Sequence, residues 1–128
     1  MPIERKCKKA LFAVVAALVL TAPASAVAGE ADVVTVETRQ AGDGSWRFAV
    51  AVAHADEGWD HYADLWEIVA PDGTVLGQRV LAHPHVDEQP FTRFLSGVVI
   101  PAGTAQVVVR ARDNVHGPGG RTVTVVLD

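Results

Sequence analysis

All five histidines of this chain fall in three short segments, and acidic side chains lie beside nearly every one of them. The segments are residues 54–64, 83–88 and 113–120, and their histidines are His54, His61, His83, His85 and His116. Neutral imidazole is the commonest protein ligand of transition metals, and carboxylates can add ligands or orient the rings. The three segments therefore predict a site for zinc or copper.

The predicted ligands are the five histidines, supported by acids of the same segments: Asp56, Asp60, Asp64, Glu88 and Asp113. Pro84 favours extended backbone at His83, and extended backbone puts the side chains of His83 and His85 on one face. No spacing matches a named metal motif such as His-Glu-x-x-His. A non-metal cluster and a calcium site among the acids stay open, although histidines suit calcium poorly.

Two aromatic residues of the first segment, Trp59 and Tyr62, indicate a different function. Aromatic side chains among polar loop residues are typical of a binding surface, so the alternative is a non-catalytic interaction module for a protein or another partner. They could equally cover the open end of the fold. We predict no enzyme, because neither Ser45 nor Ser96 lies in the sequence context of a catalytic nucleophile.

The first 28 residues have the pattern of a cleaved export signal. A basic start, with Arg5 and three lysines, precedes an apolar run over 10–20. Ala24-Ser25-Ala26 and Ala26-Val27-Ala28 both fit the small-x-small cleavage pattern. We therefore predict a signal peptide over 1–28 and one domain over 29–128, located in the periplasm or secreted and free of the membrane after cleavage.

Cleavage would change the composition of the chain. The single cysteine, Cys7, would be lost with the signal, so any metal would be held by nitrogen and oxygen. Seven arginines and fourteen acidic residues would remain, which gives a formal net charge of −7. Such an acidic surface argues against nucleic acid and favours cations or a basic partner.

In residues 29–128, short runs with alternating apolar residues are separated by turn residues. Seven strands are predicted, over 32–38, 46–52, 65–69, 74–82, 91–100, 106–112 and 122–127. They predict an all-β fold, a seven-stranded antiparallel sandwich of immunoglobulin or fibronectin III type, with a small closed barrel as the competing architecture. Trp66 is the expected large core aromatic.

The order of strands predicts where the histidines meet. In an antiparallel fold, successive loops alternate between the two ends of the molecule. The short turns at 40–44, 71–73 and 101–103 then share one end, and the three longer connections with every histidine share the other. Long loops at one end of a rigid sandwich are the usual position of a functional site.

The run from His54 to Asp64, with that from His83 to Phe91, resembles a group of short exported proteobacterial proteins of uncharacterised function. The resemblance covers roughly residues 46–127. It implies export but no activity, so it assigns a role to no residue.

Overall fold

The computed structural model describes residues 29–127, which form eight β-strands. They are β1 Asp32–Gln40, β2 Trp46–Ala53, β3 Ala63–Val69, β4 Val75–Val80, β5 Phe91–Val98, β6 Gln106–Asp113, β7 Gly117–Pro118 and β8 Val123–Val126. The all-β prediction is confirmed, but the count of seven strands was wrong. The additional strand, β7, has two residues and pairs with the end of β6. The predicted signal peptide lies outside the described residues.

The strands form two antiparallel sheets that pack against each other as a sandwich. One sheet has the order β1-β2-β5. The other has the order β4-β3-β6, with β7 and β8 both pairing with the remaining edge of β6. The antiparallel sandwich is confirmed, whereas its immunoglobulin or fibronectin III type stays a prediction. Residues 29–127 contain no helix long and apolar enough to cross a membrane.

Alternation of apolar side chains along β2 and β6 builds the core and also aims two polar side chains inward. Phe48, Val50 and Val52 on β2 are fully buried, as are Val107 and Val109 on β6. Trp66 of β3 is fully buried in the same core.

Side chains two residues apart on a strand share a face, so His54 continues the buried row of β2. Asp113 continues that of β6 in the same way. Both are buried at one end of the sandwich, one from each sheet.

Contacts between the loops show that the histidine-bearing connections lie at one end, as predicted. The Asn114 amide donates to the Tyr62 carbonyl at 3.1 Å, which joins the β6–β7 and β2–β3 connections. The His85 amide donates to Asp56 Oδ2 at 2.7 Å, which adds the β4–β5 connection. The start of β1 is at this end too, because Asp32 pairs with Ala53 at the end of β2.

Two phenylalanines on opposite faces of one sheet give a test of the core. We expect Phe48→Ala to lower the free energy of unfolding by about 3–5 kcal/mol, because it opens a cavity between the sheets. The matched control is Phe94→Ala on the neighbouring strand, where the ring is 49% exposed. Urea denaturation should give a loss below about 1.5 kcal/mol for that control. Equal losses would contradict the assignment of the two faces.

Candidate metal centre

The carboxylate of Asp113 is the centre of the histidine-rich end. Its side chain is completely buried at the end of β6. One oxygen, Oδ1, accepts the backbone N–H of Val115 at 2.9 Å and also that of His116. These bonds hold the turn after β6, and they leave the second oxygen, Oδ2, facing the imidazole rings.

Three imidazole nitrogens surround Asp113 Oδ2. His54 Nε2 is 2.9 Å away, His61 Nε2 is 3.1 Å away and His116 Nδ1 is 3.0 Å away. The ring centroids of His54 and His61 are 4.8 Å apart, and those of His61 and His116 are 5.0 Å apart. Ligand atoms of His54, His61 and Asp113 all lie within 4.8 Å of one another. The Gly29 carbonyl oxygen also contacts the rings of His54 and His61. We call the side chains of His54, His61, His116 and Asp113, together with this carbonyl, the Asp113 cluster.

The far nitrogens of two of these rings are bound to further carboxylates. His54 Nδ1 is 2.5 Å from Asp56 Oδ1. Asp56 also accepts the backbone N–H groups of Ala63 at 3.1 Å and of His85 at 2.7 Å. Asp56 is therefore an acceptor in every one of these contacts, and the Nδ1 proton belongs to His54.

His61 repeats the arrangement on the more exposed side of the cluster. Its Nδ1 is 2.9 Å from Glu57 Oε1, so its Nδ1 also carries the proton of a hydrogen bond. The Glu57 carboxyl is 70% exposed.

Within residues 29–127, the Nε2 atoms of His54 and His61 have only oxygen acceptors among their hydrogen-bond contacts. The Gly29 carbonyl oxygen is 2.9 Å from His54 Nε2 and 3.1 Å from His61 Nε2, and Asp113 Oδ2 is the other neighbour of both. A neutral imidazole with its proton on Nδ1 has only a lone pair at Nε2. Lone pairs do not attract carbonyl and carboxylate oxygens, so each Nε2 needs a second proton or a shared cation.

The pKa values of the cluster follow from this geometry. The pKa of His61 is raised, first by its hydrogen bond to Glu57, with burial opposing and Asp113 adding to the rise. Burial alone would raise the pKa of Asp113. Hydrogen bonds from the His116 backbone and from the three histidine rings more than offset it, so the pKa lies well below the ordinary value. Asp113 is thus a carboxylate throughout the physiological range.

The arrangement suits a transition-metal ion. Metal-bound histidines usually donate their other ring N–H to a carboxylate, as His54 and His61 do here. With bonds of about 2.0–2.1 Å, the ligand atoms around a tetrahedral zinc ion lie about 3.4 Å apart. The separations of 2.9–3.1 Å between the rings and Asp113 Oδ2 need to widen by only about half an ångström.

His83 and His85, also predicted as ligands, lie outside the Asp113 cluster. The ring of His85 is buried and stacks on Phe91, with centroids 4.0 Å apart. Burial, followed by the charges of Arg93 and His83, lowers its pKa. The exposed ring of His83 lies 4.6 Å from that of His85. Among residues 29–127, the group with metal-ligand spacing does not include either of them.

Only two of the predicted supporting acids contact the histidines of the Asp113 cluster. Asp56 and Asp113 bind histidines of the cluster, whereas Asp64 pairs with Arg112 at 3.2 Å and Glu88 pairs with Arg93 at 3.2 Å. Asp60 is exposed. Sequence reasoning missed Gly29 as a neighbour of the rings, because this contact follows from the pairing of the start of β1 with the end of β2.

Trp59 and Tyr62 form an edge-to-face pair beside the cluster, with ring centroids 5.6 Å apart. Trp59 is 65% exposed. It therefore does not cover the end of the core, and its ring is available at the surface.

Sequence identity shows that the chain is similar to a protein that is named as a lipoprotein. The chain is 43% identical over 96 residues to a protein of Halomicrobium mukohataei named "Putative lipoprotein". The match covers 75% of this chain and 47% of that protein, so the chain spans about half the length of the relative. No family model matches the chain. No solved structure matches it either. The resemblance to proteobacterial proteins stays a prediction.

The buried carboxylate can be tested without any metal. In the presence of a chelator, we expect Asp113→Asn to lower the free energy of unfolding by about 3–5 kcal/mol near neutral pH, because it breaks a buried charge network. The control is Asp60→Asn, an exposed acid of the same end, with a change below about 0.5 kcal/mol.

The pH dependence of this loss has a defined sign. Because the folded pKa of Asp113 is lowered, its stabilisation is complete above the unfolded value of 3.8 and is lost as the pH falls below it. The difference between wild type and Asp113→Asn should therefore narrow from about pH 5 to about pH 2 in urea denaturation. A difference independent of pH in this range would contradict the charged, hydrogen-bonded state.

Proposed function

We propose that the protein is an exported binding protein for a divalent transition metal, zinc or copper, with His54 Nε2, His61 Nε2 and Asp113 Oδ2 as its ligands. One observation carries the proposal. The Nδ1 atoms of two imidazoles lie against carboxylates and their Nε2 atoms face oxygen acceptors, so a neutral ring that donates from Nδ1 presents a lone pair at Nε2. A shared cation satisfies both lone pairs and both oxygens at once.

Charge supports a divalent ion over a monovalent one. The carboxylates of Asp56, Glu57 and Asp113 surround the two rings, and a divalent ion offsets more of their negative charge than a monovalent ion does. Nitrogen ligands favour zinc or copper over calcium, which takes oxygen ligands.

Export is part of the same proposal. The relative from Halomicrobium mukohataei is named as a lipoprotein, which is a class of exported proteins. The start of the chain has the pattern of an export signal. We place the protein in the periplasm or outside the cell, where it would bind the metal for homeostasis or delivery without catalysing a reaction.

Metal titration tests the ligand assignment. We expect wild-type protein to bind Zn²⁺ or Cu²⁺ with a Kd of about 1 μM or tighter in competition with a coloured chelator. His61→Ala should weaken binding at least about 100-fold because it removes a ligand, and Glu57→Gln about tenfold because it removes the partner of the ligand ring. The matched control, His83→Ala, should leave the Kd unchanged.

The pattern of the variants decides the result. Loss of binding in His83→Ala, with His61→Ala unaffected, would move the site to the other histidine pair. A wild-type melting temperature that neither ion raises would reject metal binding, since a ligand of the folded state must stabilise it.

A second function, recognition of a partner through the same end, is supported by exposed apolar side chains. Trp59, Val86 and Val115 are 65%, 55% and 58% exposed, and each lies on a different histidine-bearing connection. The Asn114 side chain donates to the Trp59 carbonyl at 3.0 Å, which brings two of these connections together. Crosslinking from a photoreactive residue at Trp59 in the native organism, with Val99 as the exposed control site, would test this function.

A further inference from the structure

The carbonyl of Gly29 is a main-chain group that points at two candidate ligands. Its oxygen lies 2.9 Å from His54 Nε2 and 3.1 Å from His61 Nε2. This residue directly follows Ala26-Val27-Ala28, one of the two small-x-small cleavage patterns. The first residue after one predicted cut is thus the residue that contacts the rings.

The position of Gly29 is held by residues on its C-terminal side. The Val33 amide donates to the Arg121 carbonyl at 2.8 Å, and the Arg121 amide donates to Asp32 Oδ1 at 2.7 Å. Ala31 is completely buried in the core. These contacts fix the chain two to four residues beyond Gly29.

The absence of a side chain at residue 29 allows close packing against His116. A Cβ on residue 29 would overlap the ring of His116 at Cε1. The ring of His116 therefore packs directly on the backbone of Gly29, and the backbone is part of the wall of the cluster.

We propose that cleavage between Ala28 and Gly29 completes the metal site, with the freed α-amine and the carbonyl oxygen of Gly29 as additional ligands. This inference rests on the proposed function. In the cleavage step, a signal peptidase adds water across the Ala28–Gly29 peptide bond. Ala28 leaves with a carboxylate, and Gly29 gains an amino group.

Covalent geometry allows the new amine to reach the ion. The nitrogen of a residue lies about 2.7 Å from its own carbonyl oxygen when the two atoms are cis about the Cα–C bond. A glycine with a free amino terminus can adopt this arrangement, and an ion bound to its carbonyl oxygen then also binds its amine and closes a five-membered chelate ring. An amide nitrogen in the uncleaved chain has no lone pair available for this bond, so the precursor has one ligand fewer.

The consequence is a site that reaches full affinity only after export. The precursor would offer the side chains and the carbonyl, and the processed protein would offer the amine as well. Tight binding would then be restricted to the compartment in which the signal has been removed.

The experiment compares two chains that differ by one residue. One begins at Gly29 and the other at Ala28, and both are made with a start methionine that the host removes. Each is also made with His61→Ala. Affinity for Zn²⁺ and Cu²⁺ is measured by chelator competition, and the nitrogen ligands of Cu²⁺ are counted by electron paramagnetic resonance. In parallel, the full-length chain is exported and the amino terminus of the product is determined by intact mass.

We expect the Gly29 form to bind at least about tenfold more tightly than the Ala28 form and to show one more nitrogen ligand. The exported product should begin at Gly29. Equal affinity and equal nitrogen counts in the two forms, with binding still weakened by His61→Ala, would overturn this inference and leave the proposed function standing. An exported product that begins at Val27 would also overturn it. Absence of binding by either form would reject both proposals.

Discussion

A single buried carboxylate organises one whole end of this protein. Transfer of an unpaired carboxylate into the interior costs several kcal/mol, so Asp113 is compatible with folding only while its oxygens are matched by donors or cations. Two backbone amides serve one oxygen, and three imidazole nitrogens surround the other. The turn after β6, the end of β2 and the β2–β3 connection must all be in place for this match, and it therefore fixes their relative positions.

The Asp113 cluster also joins the two layers of the sandwich. His54 belongs to the end of the β1-β2-β5 sheet, and Asp113 belongs to the sheet that contains β6. The apolar core ends at this point, since both residues continue buried rows of apolar side chains. A polar connection thus takes over from hydrophobic packing, and its strength depends on protons or on a metal ion. An ion bound there would connect the sheets directly, so metal binding would raise the stability of the folded protein.

Asp56 extends the network to the third connection. One of its oxygens binds His54 Nδ1, and the other accepts the backbone amide of His85. Each carboxylate of the buried network therefore has two functions, orienting a ring and fixing a loop. This explains why His85 is buried beside the cluster without joining it. Its backbone is held by Asp56, whereas its ring stacks on Phe91 in the direction of the core.

The strands and the common end of the histidine-bearing loops could be predicted from the sequence, because the period of two in residues 46–54 and 106–113 is a local property of the chain. The same period continues through His54 and Asp113, which the structure shows on the inward face. β7 could not be predicted, because a Gly-Pro pair has no alternation and becomes a strand only through the free edge of β6. The choice among the five histidines was also beyond the sequence, since nearly every one has an acidic neighbour.

The tertiary structure brings three of the five histidines together at Asp113. His54 and His61 are 59 and 52 positions from Asp113 in the sequence, so their contact depends on the packing of two sheets rather than on any local pattern. The same packing brings Gly29 to the rings, because the start of β1 pairs with the end of β2. The sequence determined which side chains could bind a cation and which end of the sandwich would carry them. Only the assembled sheets decided which nitrogen lone pairs converge, because convergence is set by distances that no single strand defines.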